Sequence, residues 1–330
     1  MALNVPIGVE EDYYQISEAV LSSFSKYRLP LDLYTIDEKV AQLMQYYKKD
    51  NRLSNEQVEE IQTLCREGNL FVSRTDHPVY SQHIVKQLDL VLVDENLKPG
   101  EVSDIILRAL DIKLTDFFSQ PVKPFFVPLY EDVMVFTEYV WGDKHRIRMF
   151  MRRLYDGEYS LTMHSINTMM VGLWMFLNDK GEGMTRKEFD ALALGLILHD
   201  VGMTKVPPFI LNKTTMLKPD EREKIPPHVL AGMQVIQKLD LVAEETKAAC
   251  LEHHERLDGS GYPQKVKTLS VAGSIAATAD SFSAMIQKRV YADAKAQRAA
   301  AQELSNDTTH YDRRFAGALF TALVTDAFNK

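Results

Sequence analysis

The chain has 330 residues, 45% of them hydrophobic and 25% charged, with a formal net charge of -8. That length suggests two domains, or one domain with a long extension, and the composition is that of an ordinary globular protein. The acidic balance argues against broad electrostatic binding to polymeric nucleic acid. Two cysteines without CxxC spacing give neither a disulfide framework nor a thiolate zinc site, and a cytoplasmic location is expected. No signal-like start is expected at the N-terminus, and the apolar run Leu192 to Leu198 is too short to cross a bilayer.

The pattern predicts an α+β protein, with a small mixed module over residues 1–98, a helical connector over 99–150 and an all-α bundle over 151–330. In the first module, Leu29, Leu31 and Leu33 alternate with Pro30, Asp32 and Tyr34, a strand signal, and residues 38–48 then take helical spacing. Ser54 and Gln57 form a capping box, Gly68 is placed to end the helix it opens, and Leu70 to Ser73 reads as a second strand. Pro78 can start another helix at its first turn. No phosphate-binding glycine loop and no acid cluster occur here, so a regulatory or docking role is expected.

In the connector, Pro99 and Gly100 mark a turn ahead of an amphipathic helix through Phe118, and Pro121, Pro124 and Pro128 are expected to break regular structure. The basic stretch Lys144, His145, Arg146, Arg148, Arg152 and Arg153 reads mainly as a solvated helix face. Beyond residue 160 the spacing is helical almost to the end. Thr185 and Glu188 form a second capping box, Pro219 opens a helix, and Pro226 and Pro227 break and restart it before His228. Residues 255–268 form a Gly/Pro loop, a small-residue helix runs over 271–286, and two more helices finish the chain.

Of nine histidines, His164, His199, His228, His253 and His254 lie in this helical half beside acids. Imidazole suits Fe, Mn and Zn, and carboxylates add oxygen ligands that can bridge ions. Each residue alone has an ordinary structural explanation. His199-Asp200 closes the apolar run from Ala193, where an unpartnered acid would be costly, and Asp280 stands in an otherwise apolar helix. Together they give seven candidate ligands on successive segments, too many for one ion with an open site. Two ions about 3.5–4 Å apart are a recurring device for phosphate ester hydrolysis, and Asp200 is the natural bridge.

Residues 164–291 resemble the HD-GYP domain, a branch of the HD phosphohydrolase superfamily. The matching pieces are His199-Asp200-Val201-Gly202, His228 with Gly232, His253-His254-Glu255 followed by Asp258-Gly259-Ser260-Gly261-Tyr262-Pro263, Ala279-Asp280, and Arg289 with Tyr291. The resemblance implies hydrolysis of cyclic di-GMP to the linear dinucleotide (pGpG) or GMP by a hydroxide bridging two divalent metals, with iron or manganese expected. His164, His199 and Asp280 would hold one metal, His228, His253 and His254 the other, and Asp200 both. Lys205 and Arg289 are candidate phosphate contacts. The resemblance also implies a partner at Tyr262 and its loop, a diguanylate cyclase carrying a GGDEF domain.

Several positions depart from the family pattern. Met203 stands where a lysine is common, Ser274 where an arginine is common, and Val290 and Ala292 interrupt the late Arg/Tyr motif. Ser160 replaces the glutamate of three-metal members, so two metals are expected, and the segment after Pro263 is about two residues short. The alternatives are a weakly active or inactive signalling module and a phosphohydrolase of another nucleotide. The loop of residues 258–263 has two readings, one framing the site and orienting His254, the other presenting Tyr262 to a partner. Glu255 reads either as support for a ligand histidine or as a helix-end charge.

Overall fold

The computed structural model describes residues 12–37, 42–94, 96–179, 185–211, 213, 215–216, 218–289 and 292–329. The chain divides into two compact units, residues 1–109 and 110–330. The first contains strands β1 (Tyr13–Gln15), β2 (Leu33–Asp37), β3 (Gln42–Tyr47) and β4 (Phe71–Ser73), with helices α1 (Glu18–Ser23), α2 (Asn55–Arg66) and α3 (His77–Ile84). Its sheet is antiparallel in the order β1-β4-β2-β3. The second unit is helical, and α4 (Pro99–Ser119) runs across the boundary.

The local signals of the first unit act as read. Ser54 Oγ accepts from Gln57 N at 3.2 Å while the Gln57 side chain accepts from Ser54 N at 3.0 Å, so both halves of the capping box form. Gly68 follows α2 at φ 72°, a left-handed conformation that stops the helix. Pro78 sits in the first turn of α3.

Two readings of the first unit are corrected. Residues 42–47 are not helical but form β3, paired with β2 from Leu33↔Tyr47 to Asp37↔Gln42. Tyrosine-containing backbone there gains a hydrogen-bonded partner strand, and that non-local pairing overrides the helical spacing. The rest of the expected helix includes residues 38–41, which lie outside the described residues. Leu29, Leu31 and Leu33 are all buried as the alternation implied, but only Leu33 enters a strand; Pro30 has no N–H to give a ladder.

The connector also differs from expectation. Pro99 begins α4 rather than a separate turn, and α5 (Lys123–Gly142) contains both Pro124 and Pro128. Pro124 occupies the first turn, where its N–H would have no helical partner. Pro128 forfeits one bond near the N-terminal end, and burial of Phe126, Leu129, Val133 and Phe136 holds the helix together regardless. Within the basic stretch Lys144 and His145 are exposed, while Arg146 donates to Tyr139 O, Arg153 to Met149 O, and Arg152 to Phe328 O.

After α6 (Ile147–Met151) come α7 (Leu161–Asn178), α8 (Arg186–Leu198), α9 (Pro208–Leu211), α10 (Pro219–Arg222), α11 (His228–Lys238), α12 (Glu244–Glu252), α13 (Val271–Met285), α14 (Gln297–Asn306) and α15 (Arg313–Val324). α7 packs on α8 and α13, α12 packs on both of the latter, and α11 packs on α12 and on the 3-10 turn Val201–Lys205. Thr185 and Glu188 complete their capping box at the start of α8. Among the described residues no helix is long and apolar enough to cross a membrane.

Candidate metal centre

The candidate ligands come from the ends of these packed helices and, for Asp280, from the interior of one. Ser160 Oγ caps α7 by accepting from Met163 N, which places His164 in the first turn. His199 and Asp200 follow α8, His228 starts α11, His253 and His254 follow α12, and Asp280 lies inside α13. All are buried except His254, whose side chain is 23% exposed.

Asp200 lies between two histidine pairs. Its Oδ1 is 3.1 Å from His228 Nε2 and 3.6 Å from His253 Nε2. Its Oδ2 is 3.6 Å from both His164 Nε2 and His199 Nε2. Asp280 repeats the pattern on a smaller scale, with Oδ1 3.0 Å from His164 Nε2 and Oδ2 3.6 Å from His254 Nδ1. Ligand atoms of Asp200, His228, His253 and His254 converge within 4.8 Å of one another, as do those of His164, His199 and Asp200.

Ring orientation is fixed by the backbone. His199 Nδ1 lies 2.7 Å from Leu196 O, His228 Nδ1 2.7 Å from Ile225 O, and His253 Nδ1 2.9 Å from Cys250 O. A carbonyl only accepts, so each Nδ1 carries the proton and each neutral ring turns a bare Nε2 toward the centre. His228 and His253 then meet Nε2 to Nε2 at 3.3 Å, and so do His199 and His164. Facing lone pairs repel unless a cation or a proton lies among them, so this donor set fits divalent metal ions.

Protons on these nitrogens can take the place of a metal cation. Burial alone would raise the Asp200 carboxyl, but the His199 charge and hydrogen bonds from His228 and His253 hold it well below the usual carboxylate range, and against burial, hydrogen bonding to Asp200 likewise raises His228. Asp280 is held low in the same way by His164 and His199. Burial would lower His199, yet Asp200 and Asp280 lift it to about 9. Burial keeps His253 and, more strongly, His254 below the ordinary histidine value, which leaves them neutral donors.

Residues 258–263 frame this cluster. The Tyr262 ring is half-buried and packs 4.7 Å from the His254 ring, centroid to centroid, so it is not a protruding handle. Tyr262 N also donates to His254 O at 3.2 Å. Gly261 has no room for a side chain: a Cβ would lie 2.5 Å from backbone atoms of His254, Glu255 and Arg256. Asp258 Oδ1 accepts from Ser260 N, and Gly259 turns the chain at φ 81°. Pro263 follows a cis peptide bond.

Glu255 is not an exposed helix-end charge. It is fully buried, and its Oε1 accepts from Gln264 N at 2.6 Å and Lys265 N at 3.0 Å, latching the loop exit. Lys205 is exposed on its 3-10 turn. Arg289 lies over the Tyr159 ring at 4.3 Å, and that ring is 5.8 Å from the His164 ring, so Arg289 stands at the His164 side of the centre. Tyr291 lies outside the described residues. Tyr159 carried no motif signal of its own, and neither the Arg256 contacts nor the bonds of Glu255 to the loop exit could be read from the motif that contains Glu255.

Residues 180–315 match the family model described as HD domain. The matched span contains His199, Asp200, His228, His253, His254 and Asp280 of the cluster, and His164 lies ahead of it. A cyclic di-GMP phosphodiesterase from Thermotoga maritima is 34% identical to it over 155 residues, covering 45% of this chain and 39% of that protein. A 3'3'-cGAMP-specific phosphodiesterase from Vibrio cholerae is 36% identical over 117 residues, covering 34% of this chain and 22% of that protein. The chain therefore aligns with well under half the length of either relative. A solved structure of a HDG"Y"P protein from Bdellovibrio bacteriovorus superposes with a TM-score of 0.59 at 15% identity, covering 95% of this chain and 100% of that one, which shows a shared fold.

Proposed function

We propose that the HD domain hydrolyses a phosphodiester bond of a cyclic dinucleotide, cyclic di-GMP first, at a site holding two divalent metals. The observation that carries this reading is Asp200, whose two oxygens each face a different histidine pair. His164, His199 and Asp280 would complete one position, and His228, His253 and His254 the other. Metals bound there would activate a water as nucleophile and neutralise charge developing on the phosphoryl oxygens.

The chain's own residues supply the rest. The Nδ1–carbonyl bonds hold three rings in one tautomer. Tyr262 and Tyr159 wall opposite ends of the cluster, beside His254 and His164. Arg289 is the cation best placed to meet a substrate phosphate; exposed Lys205 is a weaker candidate. The products are pGpG or GMP, and iron or manganese fits the mixed nitrogen and oxygen donors. A second substrate, 3'3'-cGAMP, is favoured by the similarity to the Vibrio cholerae enzyme of that specificity. A purely signalling role for the domain predicts an output that survives loss of Asp200.

The test is turnover of both dinucleotides by anaerobically purified protein loaded with Fe(II) or Mn(II), with Asp200→Ala as control. Turnover of either substrate that disappears in the variant supports the reading. A protein that binds two metals per chain and hydrolyses neither dinucleotide overturns it.

A further inference from the structure

The turn over residues 307–312, between α14 and α15, lies against residues 256–258, which follow the paired histidines. Leu257 N donates to His310 O at 3.2 Å. His310 Nε2 is 3.3 Å from Asp258 Oδ2, while its Nδ1 is 2.7 Å from Asp307 Oδ2. The Arg256 guanidinium covers the Tyr311 ring at 4.9 Å and donates to His253 O at 3.1 Å and Glu255 O at 2.7 Å. Ser281, next to Asp280, accepts from Arg256 at 3.2 Å and from Tyr311 OH at 2.9 Å. The turn is thus wired to both sides of the metal centre.

We propose that His310 is a positioning residue: with Asp258 on one ring nitrogen and Asp307 on the other, it braces the loop of residues 258–263 against the metal centre. The kinetic consequence rests on the phosphodiesterase reading; the structural one does not. A carboxylate at each nitrogen requires a donor at each. Neutral imidazole has one N–H and one lone pair, so loss of a proton sets a lone pair against a carboxylate and releases one arm. Asp258 passes the effect on, because its other oxygen accepts from Ser260 N at 2.8 Å. From there the loop runs directly to Tyr262, which packs on His254.

The charges facing His310 are Asp307 on its own turn and Asp258 and Arg256 on the loop segment. The hydrogen bond to Asp307 leads, the two acids outweigh Arg256, and the imidazole is raised above its ordinary value. A raised folded pKa gives a brace fully formed below the ordinary histidine pKa and lost as pH rises through the higher folded value. The groups are more than a third exposed, so the brace is modest and weakened by salt.

The experiment compares amide hydrogen exchange at residues 259–262, corrected for intrinsic rate, with metal content and with the pH profiles of kcat and KM. Wild type, His310→Gln and Asp307→Asn are followed as pH rises from about 6 to 9, the range in which histidines titrate. Loop exchange in the wild type should quicken with pH. In His310→Gln it should be fast throughout, with KM raised about twofold to fivefold, the scale of a surface charge pair, and metal content unchanged. Asp307→Asn, in an exposed turn, should shift the wild-type transition to lower pH, and it carries the test should His310→Gln fail to fold. Exchange and pH profiles that match the wild type in the folded variants overturn the proposal. Absence of turnover in the wild type would sink the proposed function alone, because the exchange readout needs no substrate.

Discussion

His228 and His253 face each other Nε2 to Nε2 at 3.3 Å while a backbone carbonyl occupies the Nδ1 of each. Two neutral rings cannot donate to one another, so a proton or a metal cation has to lie among these atoms, and a divalent ion fits that place. Adding Mn(II) or Fe(II) should therefore stabilise the native state. At a hundredfold excess over Kd the gain is about 2.7 kcal/mol. On a unit of this size that corresponds to a rise in Tm of about 5–10 °C. Thermal melts with and without metal check it, and EDTA should reverse the shift; melts that do not respond to metal would contradict the donor arrangement.

Asp200 and Asp280 should differ when neutralised. Asp200→Asn removes a charge shared by both histidine pairs and should deplete both metals, with a loss of turnover greater than about 100-fold, since outer supporting groups alone account for 10–100-fold. Asp280→Asn should deplete mainly the ion held by His164 and His199. Metal analysis by mass spectrometry separates the two patterns, and equal depletion would count against the assignment of Asp200 as the bridge.

Gly202 is where the 3-10 turn after Asp200 crosses the start of α11. A Cβ there would sit 1.9 Å from His228 O and 2.6 Å from Gly232 N. Gly202→Ala must push the turn and helix apart, at a cost of about 1–3 kcal/mol or more. It should also draw His228 away from Asp200, so that the melting temperature and occupancy of the His228 metal fall together. A variant with wild-type occupancy would show that the crossing does not set this distance.

Truncating the Glu255 latch should loosen the loop without emptying the site. Glu255→Ala leaves the amides of Gln264 and Lys265 without their acceptor, a loss of about 1–3 kcal/mol. Denaturant midpoints should fall accordingly, and hydrogen exchange at those two amides should accelerate. Metal content should stay close to wild type. If instead both metals are lost while the amides stay protected, Glu255 supports the ligands and not the loop.

What could be read from sequence was whatever neighbouring residues decide. Both capping boxes form because Ser54 with Gln57, and Thr185 with Glu188, need only one turn of backbone. Most candidate ligands were visible because they sit in short motifs at helix ends, and Asp280 because it is an acid inside an otherwise apolar helix. β3 was misread because its backbone partners lie on β2, and spacing within residues 42–47 says nothing about them. Pro128 was misread because burial along α5 outweighs one missing hydrogen bond. The His310 brace was invisible for the same reason as β3: neither Asp258 nor His310 carries a local signal for the other.

The histidine-to-carbonyl bonds have a further consequence. Leu196, Ile225 and Cys250 each lie three residues before the histidine whose ring they orient. Each ligand's aim is therefore stored within its own turn, independent of the length of chain joining it to the next. These three positions are modular: insertions and deletions between the turns can accumulate without re-aiming their rings, provided the helices still dock. His254 differs, because its Nδ1 faces Asp280 Oδ2 at 3.6 Å. On this logic, connector length is free to diverge and to adjust what enters the site while the donor set stays constant.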